Sequence, residues 1–428
     1  MIKKTIFKNK EIKNASWLIG GRIAQMGLSL IVGVLTARFL GPNNYGLIGY
    51  GTAYVAFFTA LCNLGLNAVI IKDFVDNPEE QGEAIGSALV MRLISSIFCF
   101  GLSIIISAFI VDKNEPLTIA VVALCNLGSV FNIFETFNYW FQNQYKSRIT
   151  ALASLSAYII TSGYKIILLI LGKDVRWFAF ATSVDYIVCA IFLCVAYWKY
   201  GGRRLHFSFH KSKMLLSVSY NYILSSIMVA VYGQTDKLML KQMLDSSEVA
   251  YYTVATAICG MWTFVLQAII DSIYPSILRL KKIDEIAYER KNKQLYAIVF
   301  YVSCFVSVGF LIFGTLIVRI LYGKDYMPAV PVLKTVTWYT AFSYLGVARN
   351  AWIVSEGKQK YLKYMYGCAA ILNVIINAIL IPYMGANGAA LASLITQVFT
   401  SLILPFSFKE MRPNAKLMLQ AIRLKGVK

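Results

Sequence analysis

The sequence predicts an all-α integral membrane protein with about twelve membrane-spanning helices. Of its 428 residues, 58% are hydrophobic and only 14% are charged, and the mean hydropathy is +0.62. A soluble domain is typically about half apolar and a quarter charged. The excess of apolar residues is too large for one buried core. It is spread along the whole chain in runs of about twenty residues, the length that crosses a bilayer.

Twelve such runs can be placed between short breaks that are polar or contain glycine and proline. The first run follows a basic N-terminal segment. It is longer than the core of a signal peptide and has no small-residue cleavage site at its end, so we expect it to remain as the first span. The predicted spans are residues 16–40, 44–71, 84–111, 116–141, 149–171, 176–198, 215–240, 249–274, 294–321, 329–354, 360–383 and 388–407.

The distribution of basic residues predicts the orientation of the spans. The formal net charge is +20, and most Lys and Arg residues lie at the N-terminus, in alternate connections and in the C-terminal tail. By the positive-inside rule both termini should be cytoplasmic, as an even number of spans requires. The acidic loop at residues 73–83 is an exception on the predicted inner side. Because the basic residues follow membrane topology, nucleic-acid binding is not expected.

The connections between spans are too short to fold as separate domains, so any activity should reside in the spans. We expect an N-terminal lobe of six spans, a cytoplasmic linker, a C-terminal lobe of six spans, and a cytoplasmic amphipathic tail that lies on the membrane surface. Their predicted bounds are residues 1–200, 201–214, 215–407 and 408–428.

The two lobes are predicted to repeat one design. Residues 40–46, before the second span, correspond to residues 244–250, before the eighth. Leu171-Gly172 and Met384-Gly385 correspond in the same way before the sixth and twelfth spans. Halves with an even number of spans insert the same way round, so the symmetry axis should run along the membrane normal. Such repeats usually place a substrate cavity at their interface, which favours a transporter.

Polar and charged side chains recur at helical spacing inside several spans, so they share one helical face. Ionisable groups at membrane depth are costly and normally face protein or water-filled space. The candidate substrate-binding residues are Arg22, Gln25, Asn63, Arg92, Lys165, Asn221, Tyr232, Gln267 and Arg349. The candidates for coupling or charge balance are Glu135, Asp185, Asp236 and Asp271.

Some of these residues have structural explanations as well. Small polar side chains also hold helices together within the membrane. Arg92 and Lys165 can pair with Glu135 and Asp185, or Lys165 can contact a substrate phosphate as a point charge.

Position along a span also matters for three candidates. Asp236 lies near a span end beside Lys237, where snorkelling is the ordinary explanation. Arg349 is close enough to the cytoplasmic end to be interfacial. For Arg22 we favour a cavity, because a guanidinium cannot lose its charge.

Cysteine and histidine usage predicts neither a disulfide framework nor a metal site. All eight cysteines fall inside apolar runs and none forms a CxxC pair. His206 and His210 have the i,i+4 spacing of a metal pair but lie in a basic loop without a third ligand. No GxxxxGK[ST] loop occurs. We therefore expect no nucleotide, metal or other cofactor.

Two segments resemble the Wzx-type bacterial polysaccharide flippases. Residues 38–46 (RFLGPNNYG) resemble the first loop of that family. Residues 372–382 (LNVIINAILIP), continuing to residues 385–390 (GANGAA), resemble its penultimate-helix signature. The likeness covers essentially the whole chain in length and number of spans.

The resemblance implies the fold of the multidrug/oligosaccharidyl-lipid/polysaccharide exporter superfamily, with two six-helix lobes forming a V around a central cavity. It implies a flippase of the bacterial plasma membrane that moves undecaprenyl-diphosphate-linked oligosaccharides to the outer leaflet, for O-antigen, capsule or exopolysaccharide. The implied partners are this substrate, membrane lipids, a coupling ion (H⁺ or Na⁺) and polysaccharide polymerase machinery. Basic residues lining the cavity are a theme of the family, and Arg22 matches that theme by position.

Three other functions are open at this point. An ion-coupled multidrug exporter of the MATE kind would favour carboxylates in the first span, where this sequence has Arg22 and no acid. Lipid II flippases usually have additional spans. A membrane polysaccharide polymerase or ligase generally carries a large external loop with catalytic residues, and no loop here is that long. We therefore predict a transporter and not an enzyme.

Overall fold

The computed structural model describes residues 2–426, except for the side chains of residues 2–19, 68, 221 and 225. All regular secondary structure in this part of the chain is helical. The α-helices are α1 (Ile2–Cys62), α2 (Leu66–Asp76), α3 (Gln81–Ile106), α4 (Pro116–Asn126), α5 (Glu135–Asn143), α6 (Ser147–Ile170), α7 (Val175–Lys199), α8 (Phe209–Met243), α9 (Ser246–Gly260), α10 (Thr263–Leu280), α11 (Glu285–Leu321), α12 (Ala329–Ser355), α13 (Lys360–Val398), α14 (Leu404–Ser407) and α15 (Arg412–Ile422).

The helices form a multi-pass membrane protein, as predicted. Among the described residues, seven helices are long and apolar enough to cross a membrane, or nine if each of two bent pairs counts as one span. Two of the long helices are each divided by a glycine, Gly41 in α1 and Gly385 in α13. When α1 and α13 are each divided at their glycine and the less apolar α12 is included, the helices correspond to the twelve predicted spans.

The two dividing glycines have backbone angles that end one helical segment and start the next. Gly41 has φ 71° and ψ 171°, and Pro42 follows it, a residue well suited to a first helical position. Gly385 has φ 57° and ψ −138°, a region that is essentially restricted to glycine. Glu248 caps the segment after Gly385, because its Oε2 accepts a hydrogen bond of 2.5 Å from the Ala386 amide.

The chain divides into two compact units, Met1–Ala230 (unit 1) and Val231–Lys428 (unit 2). The division falls inside α8, later than the predicted linker at residues 201–214. Leu215, near the start of α8, is buried in a core cluster of unit 1. In the same cluster the rings of Phe137 and Tyr197 stack with their centroids 4.3 Å apart. The start of α8 therefore packs with unit 1.

Ion pairs connect the acidic loop at residues 73–83 to the residues just before α8 and to the first turn of α8. The Lys211 ammonium is 4% exposed and lies 2.9 Å from Asp73 Oδ1 and 2.8 Å from Glu80 Oε2. Arg203 Nη1 lies 3.2 Å from Glu79 Oε2. These contacts explain why an acidic loop occurs on the predicted basic side: it is the docking surface for a basic connector within the same unit.

Replacing Lys211 with Met should destabilise unit 1. Asp73 is 6% exposed beside the ammonium, and removing one partner of a buried ion pair typically costs about 3–5 kcal/mol because the other charge is left buried. We expect a lower midpoint of thermal unfolding in detergent, with partial recovery when Asp73→Asn is added. Lys213→Met is the matched control, since Lys213 is exposed two residues away. Equal midpoints for the two single variants would contradict the role of Lys211.

The C-terminal tail differs from our prediction. A helix is present, α15, but its apolar face packs on unit 2 instead of lying on a membrane surface. Met411, Leu417 and Met418 are buried in the core cluster of this unit, and Asn414 Nδ2 donates to the Tyr296 hydroxyl at 2.7 Å. The alternation of apolar and basic residues predicted the helix correctly, but α11 supplies the partner that we assigned to lipid.

A lysine also holds the start of the tail in place. The Lys358 ammonium donates to Glu410 Oε2 at 2.5 Å. This hydrogen bond, together with those from Tyr361 and Lys360, lowers the pKa of the Glu410 carboxyl to about 2. Glu410 is therefore ionised at neutral pH, and its link to Lys358 is present under physiological conditions.

Candidate functional site

A polar cavity of about 270 Å³ lies inside unit 1. Side chains from α1, α5, α6 and α7, and from the 3₁₀ segment Leu127–Phe134 before α5, line this unit-1 cavity. Its polar lining comprises Gln25, Asn132, Glu135, Asn138, Ser154, Tyr158 and Asp185, beside the rings of Phe131 and Tyr186. Three predicted site residues, Gln25, Glu135 and Asp185, are therefore brought together.

The cavity lining contains two acids, Glu135 and Asp185, whereas the candidate bases Arg92 and Lys165 are not part of it. Of the described residues in the lining, none is Lys, Arg or His. Lys165 is half-buried and interacts electrostatically with Asp185. Arg92 interacts in the same way with Glu135. The cavity inside unit 1 is therefore not the positively lined chamber that we expected.

Arg92 is held by neutral partners as well as by charge. Its side chain is 1% exposed. Nη1 donates to Thr136 Oγ1 at 3.0 Å, and Nη2 donates to Asn67 Oδ1 at 2.5 Å. The guanidinium also lies 5.6 Å from the centre of the Tyr139 ring, within the range of a cation–π contact. Arg92 therefore has the surroundings of a fixed structural cation and does not reach the cavity.

The other candidates of unit 1 are placed differently. Arg22 is exposed on the surface of unit 1, one helical turn before Gln25 on α1. Asn63 Oδ1 accepts a hydrogen bond of 3.3 Å from Nδ2 of the cavity residue Asn132, so it supports the lining from outside. The side chain of Asn221 lies outside the described part of the chain.

In unit 2, Asp236 of α8 is the centre of a buried polar cluster. The residue is 4% exposed. Its Oδ1 accepts a hydrogen bond of 2.6 Å from Asn377 Nδ2, and its Oδ2 accepts one of 2.7 Å from Ser393 Oγ. The Tyr252 hydroxyl donates to the same Oδ2. Snorkelling beside Lys237 is therefore not the explanation for Asp236, because its carboxylate points into protein.

Two buried oxygen atoms on α13, the helix that supplies Asn377 and Ser393 to this carboxylate, lack hydrogen-bond partners. Asn377 and Thr396 are fully buried, and neither Asn377 Oδ1 nor Thr396 Oγ1 has a hydrogen-bond partner. Asn373 completes the group, since its Oδ1 accepts from Asn377 Nδ2 at 3.0 Å and its Nδ2 donates to Ser393 Oγ at 3.3 Å. We call this set, Asp236, Tyr252, Asn373, Asn377, Ser393 and Thr396, the Asp236 cluster.

One carboxylate with amide and hydroxyl oxygens is a donor set for a hard cation and not for a transition metal. Within the described residues, no group of three or more His, Cys, Asp or Glu side chains is placed to hold a metal ion. Buried polar atoms are nearly always paired in folded proteins. Asn377 Oδ1 and Thr396 Oγ1 are exceptions to this rule.

The remaining candidates of unit 2 lie apart from this cluster or at its edge. Tyr232 accepts a hydrogen bond from Gln397 Nε2. Arg349 is buried in protein, and its Nη1 donates to the Thr400 carbonyl at 3.2 Å, in the π-helical segment Phe399–Ile403 where the regular ladder of backbone hydrogen bonds is interrupted. Gln267 Nε2 donates to Asp271 Oδ1 at 2.8 Å on an exposed stretch of α10, which makes Asp271 a local partner.

Sequence reasoning missed five members of the Asp236 cluster: Tyr252, Asn373, Asn377, Ser393 and Thr396. A signal was available in α13, where Asn373 and Asn377 have i,i+4 spacing in an otherwise apolar run. Their proximity to Asp236, more than a hundred residues earlier in the chain, could not be read from spacing.

The comparison with protein families shows to which family the chain belongs. Residues 12–281, more than half of the chain, match the family described as polysaccharide biosynthesis protein. The chain belongs to this family. This match confirms the resemblance that the motifs at residues 38–46 and 372–390 carried.

Individual relatives agree with this result. The chain is 20% identical over 416 residues to a protein of Shigella flexneri described as an O-antigen transporter. The alignment covers 94% of this chain and 98% of the relative. Two solved structures have a similar fold. The lipid II flippase MurJ in an inward closed conformation has a TM-score of 0.72 at 16% identity, covering 96% of this chain and 92% of the other. An inward-facing multidrug resistance MATE family transporter of the MOP superfamily has a TM-score of 0.68 at 16% identity, with coverages of 92% and 96%. These likenesses confirm the predicted fold class.

Proposed function

We propose that the chain flips undecaprenyl-diphosphate-linked oligosaccharides from the cytoplasmic to the outer leaflet of a bacterial plasma membrane. The products would serve the assembly of O-antigen, capsule or exopolysaccharide. The observation that carries the proposal is the match over 94% of the chain to a relative described as an O-antigen transporter. Membership of the polysaccharide biosynthesis protein family supports it.

The chemistry of the substrate assigns tasks to residues of the spans. A diphosphate and its sugars cannot enter hydrocarbon without polar groups that replace their hydration. Arg22, exposed on α1, is our candidate for the diphosphate, because a guanidinium stays charged and binds phosphate oxygens in pairs. The polyprenyl tail would stay in lipid. Both termini would be cytoplasmic, where the basic connections lie, and polymerase machinery would receive the product outside.

We further propose that the Asp236 cluster binds the coupling ion and that this ion is Na⁺. A proton would need only one carboxylate oxygen. The cluster instead offers that carboxylate together with two buried oxygens that have no hydrogen-bond partner, Asn377 Oδ1 and Thr396 Oγ1. Oxygen atoms of these kinds are the ligands of hard cations, and the carboxylate would balance the charge of the ion.

Deletion of the gene tests the proposed function. We expect loss of surface polysaccharide and accumulation of lipid-linked oligosaccharide on the cytoplasmic leaflet, measured by glycan staining and by lipid extraction with mass spectrometry. Expression of the wild-type chain should restore both. Unchanged surface glycan together with increased sensitivity to cationic drugs would instead favour a multidrug exporter, the function of the structural relative with the MATE fold. Loss of surface polymer with normal outward delivery of single repeat units would favour a polymerase or ligase.

A further inference from the structure

The unit-1 cavity and the Asp236 cluster differ in the space that they offer. A volume of about 270 Å³ holds about nine water molecules at about 30 Å³ each. Pockets for drug-sized ligands measure about 300–1,000 Å³. The cavity lies just below that range, so its volume fits an occupant of about one ring.

The lining matches the hydrogen-bonding groups of a sugar ring. Glu135 and Asp185 offer carboxylate oxygens, which accept hydrogen bonds from hydroxyls. The amides of Gln25 and Asn132 offer a donor and an acceptor each. A hydroxyl group both donates and accepts hydrogen bonds, so a ring with several hydroxyls can satisfy this mixed set of carboxylates and amides. A group that only accepts hydrogen bonds cannot satisfy it.

Aromatic rings supply the second requirement of a sugar, an apolar surface for its C–H faces. Phe131, Tyr158 and Tyr186 all lie in the lining. Tyr158 adds a phenolic hydroxyl that donates or accepts. The cavity therefore combines flat apolar surfaces with convergent polar groups, which is the general composition of small-molecule sites.

The acids of the lining disfavour binding of the diphosphate end of the lipid-linked substrate in this cavity. Glu135 and Asp185 are the acids of the lining, and the bases that interact with them electrostatically, Arg92 and Lys165, are not part of it. A diphosphate or an acidic sugar would meet like charge at close range in a partly dry chamber, where Coulomb repulsion is stronger than in water. A neutral sugar, or one with a free amino group, meets no such repulsion.

We propose that the unit-1 cavity is a sugar subsite, which binds one ring of the transported glycan and selects a neutral or amino sugar over a uronic acid. This inference rests on the proposed function, because it assigns the sugar to unit 1 as part of the same substrate. Glu135 and Asp185 accept hydrogen bonds from the ring hydroxyls, and the aromatic side chains cover one face of the ring.

Saturation-transfer-difference NMR on the full chain in phosphatidylcholine nanodiscs tests the proposal. The probes are methyl glucoside, methyl glucosaminide with a free amine, and methyl glucuronide. We expect signals for the first two and a signal at least about tenfold weaker for the uronide, which corresponds to about 1.4 kcal/mol. Equal signals for glucoside and glucuronide, or none for any glycoside, would overturn the proposal. This comparison needs no variant.

Variants then locate the binding. Asp185→Asn should reduce the discrimination against the glucuronide, a change that a purely structural role would not produce. Ala157→Phe, at a buried position of the lining, should remove the glucoside signal by filling the cavity. Glu289→Gln is the control, since Glu289 is exposed on α11, and its signals should equal those of the wild type. Sugar signals that survive Ala157→Phe would overturn the assignment to this cavity.

Binding of ²²Na⁺ separates the sugar subsite from a cation site. Asp185→Asn should leave Na⁺ binding unchanged. A loss of Na⁺ binding with unchanged sugar signals would overturn the proposal in favour of a cation site. The gene deletion separates this inference from the proposed function: loss of surface polysaccharide without any glycoside binding refutes the sugar subsite alone, and unchanged surface polysaccharide refutes the function.

Discussion

Asp236→Asn is expected to weaken Na⁺ binding by about 100-fold or more and to abolish Na⁺-dependent export. Altering residues that only support a ligand typically costs about 10–100-fold in metal affinity, and Asp236 is the one carboxylate of its cluster, buried at 4% exposure. Asparagine has the same shape, so the change removes charge and leaves packing in place. The measurement is the rise in the midpoint of thermal unfolding when choline is replaced by Na⁺, since a ligand that binds the folded state at 100 times its Kd stabilises it by about 2.7 kcal/mol.

Thr396→Val sharpens this test. Valine matches threonine in shape, and Thr396 Oγ1 has no hydrogen-bond partner to lose. Without Na⁺ the variant should be as stable as the wild type, or more stable, because a buried unpaired hydroxyl is removed. The stabilisation by Na⁺ should nevertheless shrink. A full Na⁺ response in both Thr396→Val and Asp236→Asn would contradict the cation site, and Asp325→Asn, in the exposed turn before α12, is the control.

Arg22→Glu is expected to abolish export of the lipid-linked oligosaccharide while the protein is still inserted. A hydrogen bond to a charged group contributes about 1.5–3 kcal/mol, which corresponds to roughly 10–100-fold in affinity for the diphosphate. Reversal of the charge adds repulsion. Arg22→Ala should have the smaller effect, and Arg22→Lys should keep part of the activity, because an ammonium binds phosphate without the paired geometry of arginine.

The assay for Arg22 is restoration of surface polysaccharide in the deletion strain, with the amount of membrane-inserted protein measured in parallel. Lys173→Ala serves as the matched control, since Lys173 is an exposed basic residue of the same unit. Wild-type levels of polysaccharide in both Arg22→Ala and Arg22→Glu would remove Arg22 from the site.

The helical organisation was predictable because it depends on local properties of the sequence. Runs of apolar residues marked the spans, and Gly41 and Gly385 marked two of the breaks, where the backbone has positive φ. The tail helix was predictable for the same reason. Its partner was not, because the same apolar face can be covered by lipid or by protein, and only the packing against α11 decides between them.

The sites depend on contacts between distant residues, which periodicity does not reveal. Asp236 meets Asn377 and Ser393 across 141 and 157 positions of the chain. The Lys211–Asp73 pair spans 138 positions. Sequence reasoning selected Glu135, Asp185 and Asp236 as costly charges inside spans, and their roles stay predictions. It could not tell that Glu135 and Asp185 line the cavity of unit 1 while Arg92 and Lys165 do not.

Flipping in reconstituted vesicles tests the central claim most directly. Purified undecaprenyl-diphosphate-linked oligosaccharide and the full chain would be placed in proteoliposomes, and a glycosidase that cannot cross the membrane would report the arrival of sugars at the outer leaflet. We predict that sugars become accessible faster with the protein than in empty vesicles, that a Na⁺ gradient accelerates the process, and that Asp236→Asn removes this acceleration. Equal rates of exposure in vesicles with and without the protein would contradict the account.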